Sequence, residues 1–412
     1  MLVSLLPTVL AVNSAWAQTL NTVYVFTGTG KGEYPADAGT LVVSPNGDLY
    51  GTAQWDAEPG KGRGTVFRVT PSGQQTVIDY FSNNPDGKRP FAGLIADKTG
   101  NLYGTTWAGG AYGGGIVFKL TPPKPGLTKW TETILYSFQP FSRGLGLTTP
   151  LLMDAAGNLY GSAPPGAGQG GGGIVFKLDT KGNFTVLHEF DTEAEGEGPG
   201  GLVIDPLGNL YGIAGGGLKS CNDGAGCGVV FKLSPSGQET VLYTFTGGSD
   251  GAIPSSLILD AAGKTLYGTT LAGGNLSCSV PLTHGCGVVF ELDVSGETVL
   301  HSFDGTDGLS PYELRRDAAG NLYGATTQGG DPSCVANSGC GVLFKLDTAN
   351  NFSVLYAFGP VNNNGSSPGC CGGLALDSSG NLFGVTEYGG DVSCNPMGCG
   401  TMFELTPAKR AD

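Results

Sequence analysis

Leu102-Tyr103-Gly104 is one of seven copies of a single tripeptide, and its recurrence decides the fold. The others are Leu49-Tyr50-Gly51, Leu159-Tyr160-Gly161, Leu210-Tyr211-Gly212, Leu266-Tyr267-Gly268, Leu322-Tyr323-Gly324 and the variant Leu382-Phe383-Gly384, spaced 51 to 60 residues apart. A second signature follows each copy, at Val66-Phe67, Val117-Phe118, Val175-Phe176, Val230-Phe231, Val289-Phe290, Leu343-Phe344 and Met402-Phe403. A third, of the form Thr-Val-Leu-Tyr-x-Phe, closes six units and ends at Phe81, Phe138, Phe190, Phe245, Phe303 and Phe358. Its seventh copy stands alone at the front, as Thr22-Val23-Tyr24-Val25-Phe26. With an apolar stretch such as Gly201-Leu202-Val203-Ile204-Asp205, each unit supplies four short strands rich in β-branched and aromatic residues. A small sheet of this kind cannot bury both faces alone and must stack on neighbours around an axis. The expectation is an all-β, seven-bladed β-propeller with four strands per blade, closed by the N-terminal strand. The repeated Tyr and Phe residues then fill the space between blades.

Composition agrees with this reading. The chain has 412 residues, with 73 Gly and 25 Pro, too many helix breakers for a mainly helical protein. Hydrophobic residues make up 40% and charged residues 14%, which excludes a disordered chain. Twenty-one basic against 35 acidic residues give a net charge of −14 and argue against nucleic acid or an anionic membrane as partner. The apolar run Leu2 to Val12, followed by Ala15-Trp16-Ala17, reads as a signal peptide over 1–17, although no Lys or Arg precedes it. The remaining 18–412 is expected to form one propeller domain, exported to the periplasm, cell surface or medium and monomeric. No other run approaches the roughly 20 apolar residues of a transmembrane helix.

Strand order also orients the molecule. Turns of the form Asp97-Lys98-Thr99-Gly100-Asn101 and Ser234-Pro235-Ser236-Gly237 are short and repetitive, and strand alternation puts them on one face. The other face receives long loops that differ in every unit, where binding usually resides.

The unit running from Gly93 to Gly110 through Asp97 and Leu102-Tyr103-Gly104, followed by Gly115-Ile116-Val117-Phe118-Lys119-Leu120, resembles the GloVer tandem repeat of choice-of-anchor bacterial surface proteins. The resemblance covers nearly all of 18–412 and implies an exported propeller, often followed in such proteins by a C-terminal sorting anchor. This sequence finishes at Lys409-Arg410-Ala411-Asp412 without an apolar tail, so release or retention by another contact is expected. The resemblance carries no catalytic residues.

Eight of ten cysteines fall in close pairs ahead of the Val-Phe strand: Cys221 with Cys227, Cys278 with Cys286, Cys334 with Cys340 and Cys394 with Cys399. Cys-x-x-Cys spacing is absent, so local disulfides are expected rather than zinc. Adjacent Cys370 and Cys371 would form a strained vicinal bridge.

Catalytic patterns are scarce. His188 and His301 take the Tyr position of outer strands, and no nucleophile elbow or phosphate loop occurs. Asp86, Asp250 and Asp307 each precede Gly in a blade-to-blade loop, ahead of a Pro, and Trp55, Trp107, Gln328, Glu387 and Tyr388 end second strands on the same face. Two readings follow from these residues. One is turn punctuation. The other is a shallow acidic surface that binds a glycan or an envelope protein, with aromatic rings stacking on sugars and carboxylates accepting from hydroxyls. No cofactor motif is evident, while the acidic loops leave room for Ca2+. A binding or scaffold module is the preferred function; the alternative is a carbohydrate-active or lyase-type enzyme using carboxylates of that face.

Overall fold

The computed structural model describes residues 18–27, 33–35, 39–55, 63–82, 85–139, 147, 149–163, 171–190, 194–217, 221, 226–280, 283–334, 339–360, 365–368, 372–392 and 397–406. Seven antiparallel four-stranded sheets stand in a ring, a seven-bladed β-propeller. The fourth blade is representative: Leu202–Ile204 innermost, then Leu210–Ala214, Val229–Leu233 and Glu239–Thr244 outermost. We number blades one to seven by their Leu-Tyr-Gly (or Leu-Phe-Gly) copies. In blade seven, Thr401–Thr406 pairs on one side with Leu382–Tyr388 and on the other with Thr19–Val25, with Thr22 opposite Phe403. The first and last described strands therefore share one sheet, and the front copy of the third signature closes the ring.

The repeated motifs turn out to be one set of contacts. Gly104 lies opposite Phe118 in the strand pairing, and a Cβ on this glycine would overlap the Phe118 ring; the same holds in all seven blades, from Gly51 with Phe67 to Gly384 with Phe403. The preceding Tyr serves the turn. Tyr103 donates its hydroxyl to Asp97 at 3.0 Å, as Tyr160 does to Asp154, Tyr211 to Asp205 and Tyr323 to Asp317. Asp97 also accepts from the Thr99 and Asn101 amides at 2.8 and 3.0 Å and from the Asn101 side chain at 2.6 Å. Burial opposes ionisation, but these hydrogen bonds outweigh it and hold Asp97 well below the usual carboxylate range.

The Phe of each outer strand packs edge-on against the Val-Phe ring of the next blade. The pairs are Phe81–Phe118, Phe138–Phe176, Phe190–Phe231, Phe245–Phe290, Phe303–Phe344 and Phe358–Phe403, with centroids 5.0 to 5.5 Å apart. Phe26, at the end of the closing strand, supplies the seventh pair with Phe67 at 5.4 Å. Edge-to-face pairs contribute about 0.5–1.5 kcal/mol each beyond their buried area. Here they link every blade to its neighbour.

Candidate binding face

On the long-loop face, four blade entries share a backbone device. Arg89, Ile253, Ser310 and Ser367, each just before a Pro, adopt left-handed φ values of 54 to 57°. A non-glycine residue in this region is strained and persists only where its surroundings fix it. Each donates its amide to the preceding blade: Arg89 to the Arg63 carbonyl at 2.6 Å, Ile253 to Cys227, Ser310 to Cys286 and Ser367 to Cys340. The glycine two residues earlier is equally fixed, since a Cβ at Gly87 or Gly251 would strike Thr106 or Thr270 of the following blade.

Asp86, Asp250 and Asp307 begin these latches. Asp86 accepts from the Ser82 amide and hydroxyl at 3.0 and 2.6 Å. Asp250 accepts from the Thr246 amide and from the Tyr243 hydroxyl. Asp307 accepts from the Asp304 amide and meets His301 Nε2 at 2.9 Å. The three carboxylates therefore sit in three separate seams, each engaged by its own loop or outer strand. Among the described residues no three His, Cys, Asp or Glu side chains gather as a metal site. The corresponding loop ahead of blade four carries an acidic run, Glu193, Glu195 and Glu197; Glu195 approaches His188 at 3.7 Å, while Glu193 lies outside the described residues.

Trp55 and Trp107 share one cation. Trp55 ends Leu49–Trp55 of blade one, and Trp107 follows Leu102–Thr105 of blade two. The Arg89 guanidinium lies over both rings, 4.2 Å from the Trp55 centroid and 5.5 Å from that of Trp107. Lys88 and Arg89 run antiparallel to Trp107 and Ala108: the Lys88 amide donates to the Ala108 carbonyl at 2.7 Å, and Trp107 to that of Arg89 at 2.8 Å. All three side chains are half-buried. Glu387 and Tyr388 end the second strand one blade back from Trp55, and Gln328 two blades back, where its Oε1 is buried. The sequence-derived residues thus occupy blades six, seven, one and two, but ring contact through Arg89 joins only the two tryptophans. Arg89 itself was not singled out from sequence; its signal was a basic residue in the Asp-Gly-x-x-Pro loop.

Three expected disulfides are present, Cys221–Cys227, Cys278–Cys286 and Cys334–Cys340. Cys399 is disulfide-bonded, whereas Cys394, Cys370 and Cys371 lie outside the described residues, as does 1–17. These bridges fit an oxidising, extracytoplasmic environment. No helix among the described residues is long and apolar enough to cross a membrane.

The tight-turn face carries a feature the repeat reading passed over. A groove of about 410 Å³ opens between blades four and five, lined among others by Tyr211, Lys232, Leu242, Lys264, Val294 and Ser295. Four residues, Asp293 to Gly296, separate Leu292 from Glu297, where blade four has five, Ser234 to Gln238. At the corresponding place in blade two, Trp130 packs on Tyr50 at 5.8 Å.

The model of one repeat family matches this chain at residues 6–149, 39–282 and 277–411. The chain belongs to the Gloeobacter/Verrucomicrobia repeat family. This agrees with the GloVer resemblance read from Gly93 to Leu120. No curated protein matches the chain. Among solved structures it is similar to a gluconolactonase from Xanthomonas campestris, at 12% identity and TM-score 0.44, covering 94% of this chain and 89% of that one. It is also similar to a luciferin-regenerating enzyme, at 12% identity and TM-score 0.47, covering 94% and 95%. The extracellular domain of a protein described as a hybrid two-component system of B. thetaiotaomicron matches at 13% identity and TM-score 0.52, over 95% of this chain and 41% of that one. Likeness at these identities is likeness of fold.

Proposed function

We propose that the chain is an exported, secreted or envelope-associated propeller that acts as a monomeric binding module, beginning at Gln18 and engaging glycan or protein ligands through its long-loop face. The observation that carries the reading is the pairing of Trp55 and Trp107 across a blade seam by Arg89. Two half-buried indoles on a strained, latched backbone form a pre-organised platform, and rigidity of this kind lowers the entropic cost of binding. Sugar C–H faces stack on such rings. Asp86, Asp250 and Asp307, each engaged within its own loop, are not needed by this reading.

Affinity electrophoresis through gels containing polysaccharides tests this. The double variant Trp55→Ala, Trp107→Ala should keep the parent's far-ultraviolet circular dichroism and lose retardation at least tenfold in affinity. Undiminished retardation of the folded double variant would remove the reading.

A further inference from the structure

The charge placed on that platform is the opposite of the charge on the protein. The chain is −14 overall, yet Arg63, Lys88 and Arg89 gather within one loop pairing beside Trp55 and Trp107. Arg89 spends its backbone on the latch, its amide on Arg63 and its carbonyl on Trp107. Its guanidinium rests on two aromatic faces, and no ion pair among the described residues neutralises it. Arg63 sends its side chain to the Ser82 carbonyl, a neutral acceptor. The nearest carboxylate in the loop, Asp86, is turned to Ser82.

A guanidinium stacked on indoles retains its in-plane N–H donors, which match the geometry of a carboxylate or sulfate. At physiological ionic strength charges are screened beyond about 8 Å, so this local patch rather than the net charge decides what docks. Building on the binding function above, we infer that the Trp55–Arg89–Trp107 platform takes an acidic glycan, its sugar ring on an indole and its anionic group on Arg89. The anionic group is the shared chemistry, a uronate carboxylate or a sulfate ester.

The test compares retardation of the parent protein by polygalacturonate, dextran sulfate, neutral dextran and double-stranded DNA, at 50 and 300 mM NaCl. Parent protein should bind polygalacturonate, dextran sulfate or both at least tenfold more tightly than dextran, and less tightly at the higher salt. Response to polygalacturonate alone assigns a uronate, and response to dextran sulfate alone a sulfate. Arg89→Gln, whose backbone latch is unchanged, should weaken acidic-glycan binding at least tenfold, and Arg89→Lys should restore part of it. Dextran binding that falls with Trp55→Ala but not with Arg89→Gln would keep the binding face and overturn the acidic ligand. Retardation by DNA equal to that by the acidic glycans, or by neither acidic polymer, would also overturn it.

Discussion

The outer seams between blades one and two and between blades five and six occupy the same place in the ring, yet opposite chemistry fills them. Asp79 and His301 are equivalent, paired with Val66 and Val289 of their strands; Glu132 and Phe352 are likewise equivalent, opposite Leu120 and Leu346. In the later seam, His301 stacks on Phe352 with centroids 3.6 Å apart and meets Asp307 at 2.9 Å. In the earlier one, Asp79 Oδ2 and Glu132 Oε1 are buried without a hydrogen bond, near Asp86. Burial, reinforced by the Asp86 charge, lifts Asp79 to about 6, the Tyr80 amide and Lys129 opposing it. Burial together with Asp79 and Asp86 lifts Glu132 to about 8. The repeat therefore fixes which strand positions face a seam and leaves their size and charge to each pair of blades.

This contrast can be broken from either side. Phe352→Ala should have the largest effect, since it opens a cavity beside Phe303 and Phe344 and takes the stacking surface from His301. A loss of about 3 kcal/mol is expected from the urea midpoint; a loss below 1 would mean the stack is ornamental. Transplanting the later chemistry into the earlier seam, as Asp79→His with Glu132→Phe, should stabilise the protein by about 1–2 kcal/mol at pH 7.5 by removing two buried carboxylates. The parent's pH profile carries the same information. Asp79 and Glu132 bind protons more tightly folded than unfolded, where they titrate near 4, so their contribution is fullest below that and falls as pH rises towards 8. In the double variant this decline should flatten, and an unchanged slope would refute the seam assignment.

Smallest, and of opposite sign, is the effect at the tight turns. Asp97 is depressed in the fold, so what it contributes is present above its unfolded value near 4 and is lost on acidification. Asp97→Asn should cost about 1 kcal/mol at pH 7 and less near pH 3, read by thermal denaturation at the two values.

What could be read in the sequence was what every blade needs. Gly104 and Phe118 recur because they touch, Tyr103 because it holds Asp97, and Phe26 revealed the closing strand because one outer-strand copy was missing from the last unit. The loop aspartates were visible as punctuation, and the latch explains why a Pro follows them. Arg89 was hidden because its contact with Trp55 depends on a left-handed backbone and on a neighbouring blade. His301 with Asp307 was hidden for a similar reason, a loop folding back on its own strand. The groove at Val294 lies beside a turn one residue shorter than that of blade four, a difference that motif matching absorbs without notice.

The closing strand has a temporal meaning as well. Thr19–Val25 pairs with Thr401–Thr406, so almost the whole chain must be at hand before the ring can close. Contacts this distant in sequence are slow to make, because the loop entropy is lost before the contact repays it. Until then the outer edge of Thr401–Thr406 is bare, a template for any passing strand. A ring closed this way keeps an open sheet edge until its first and last strands have paired.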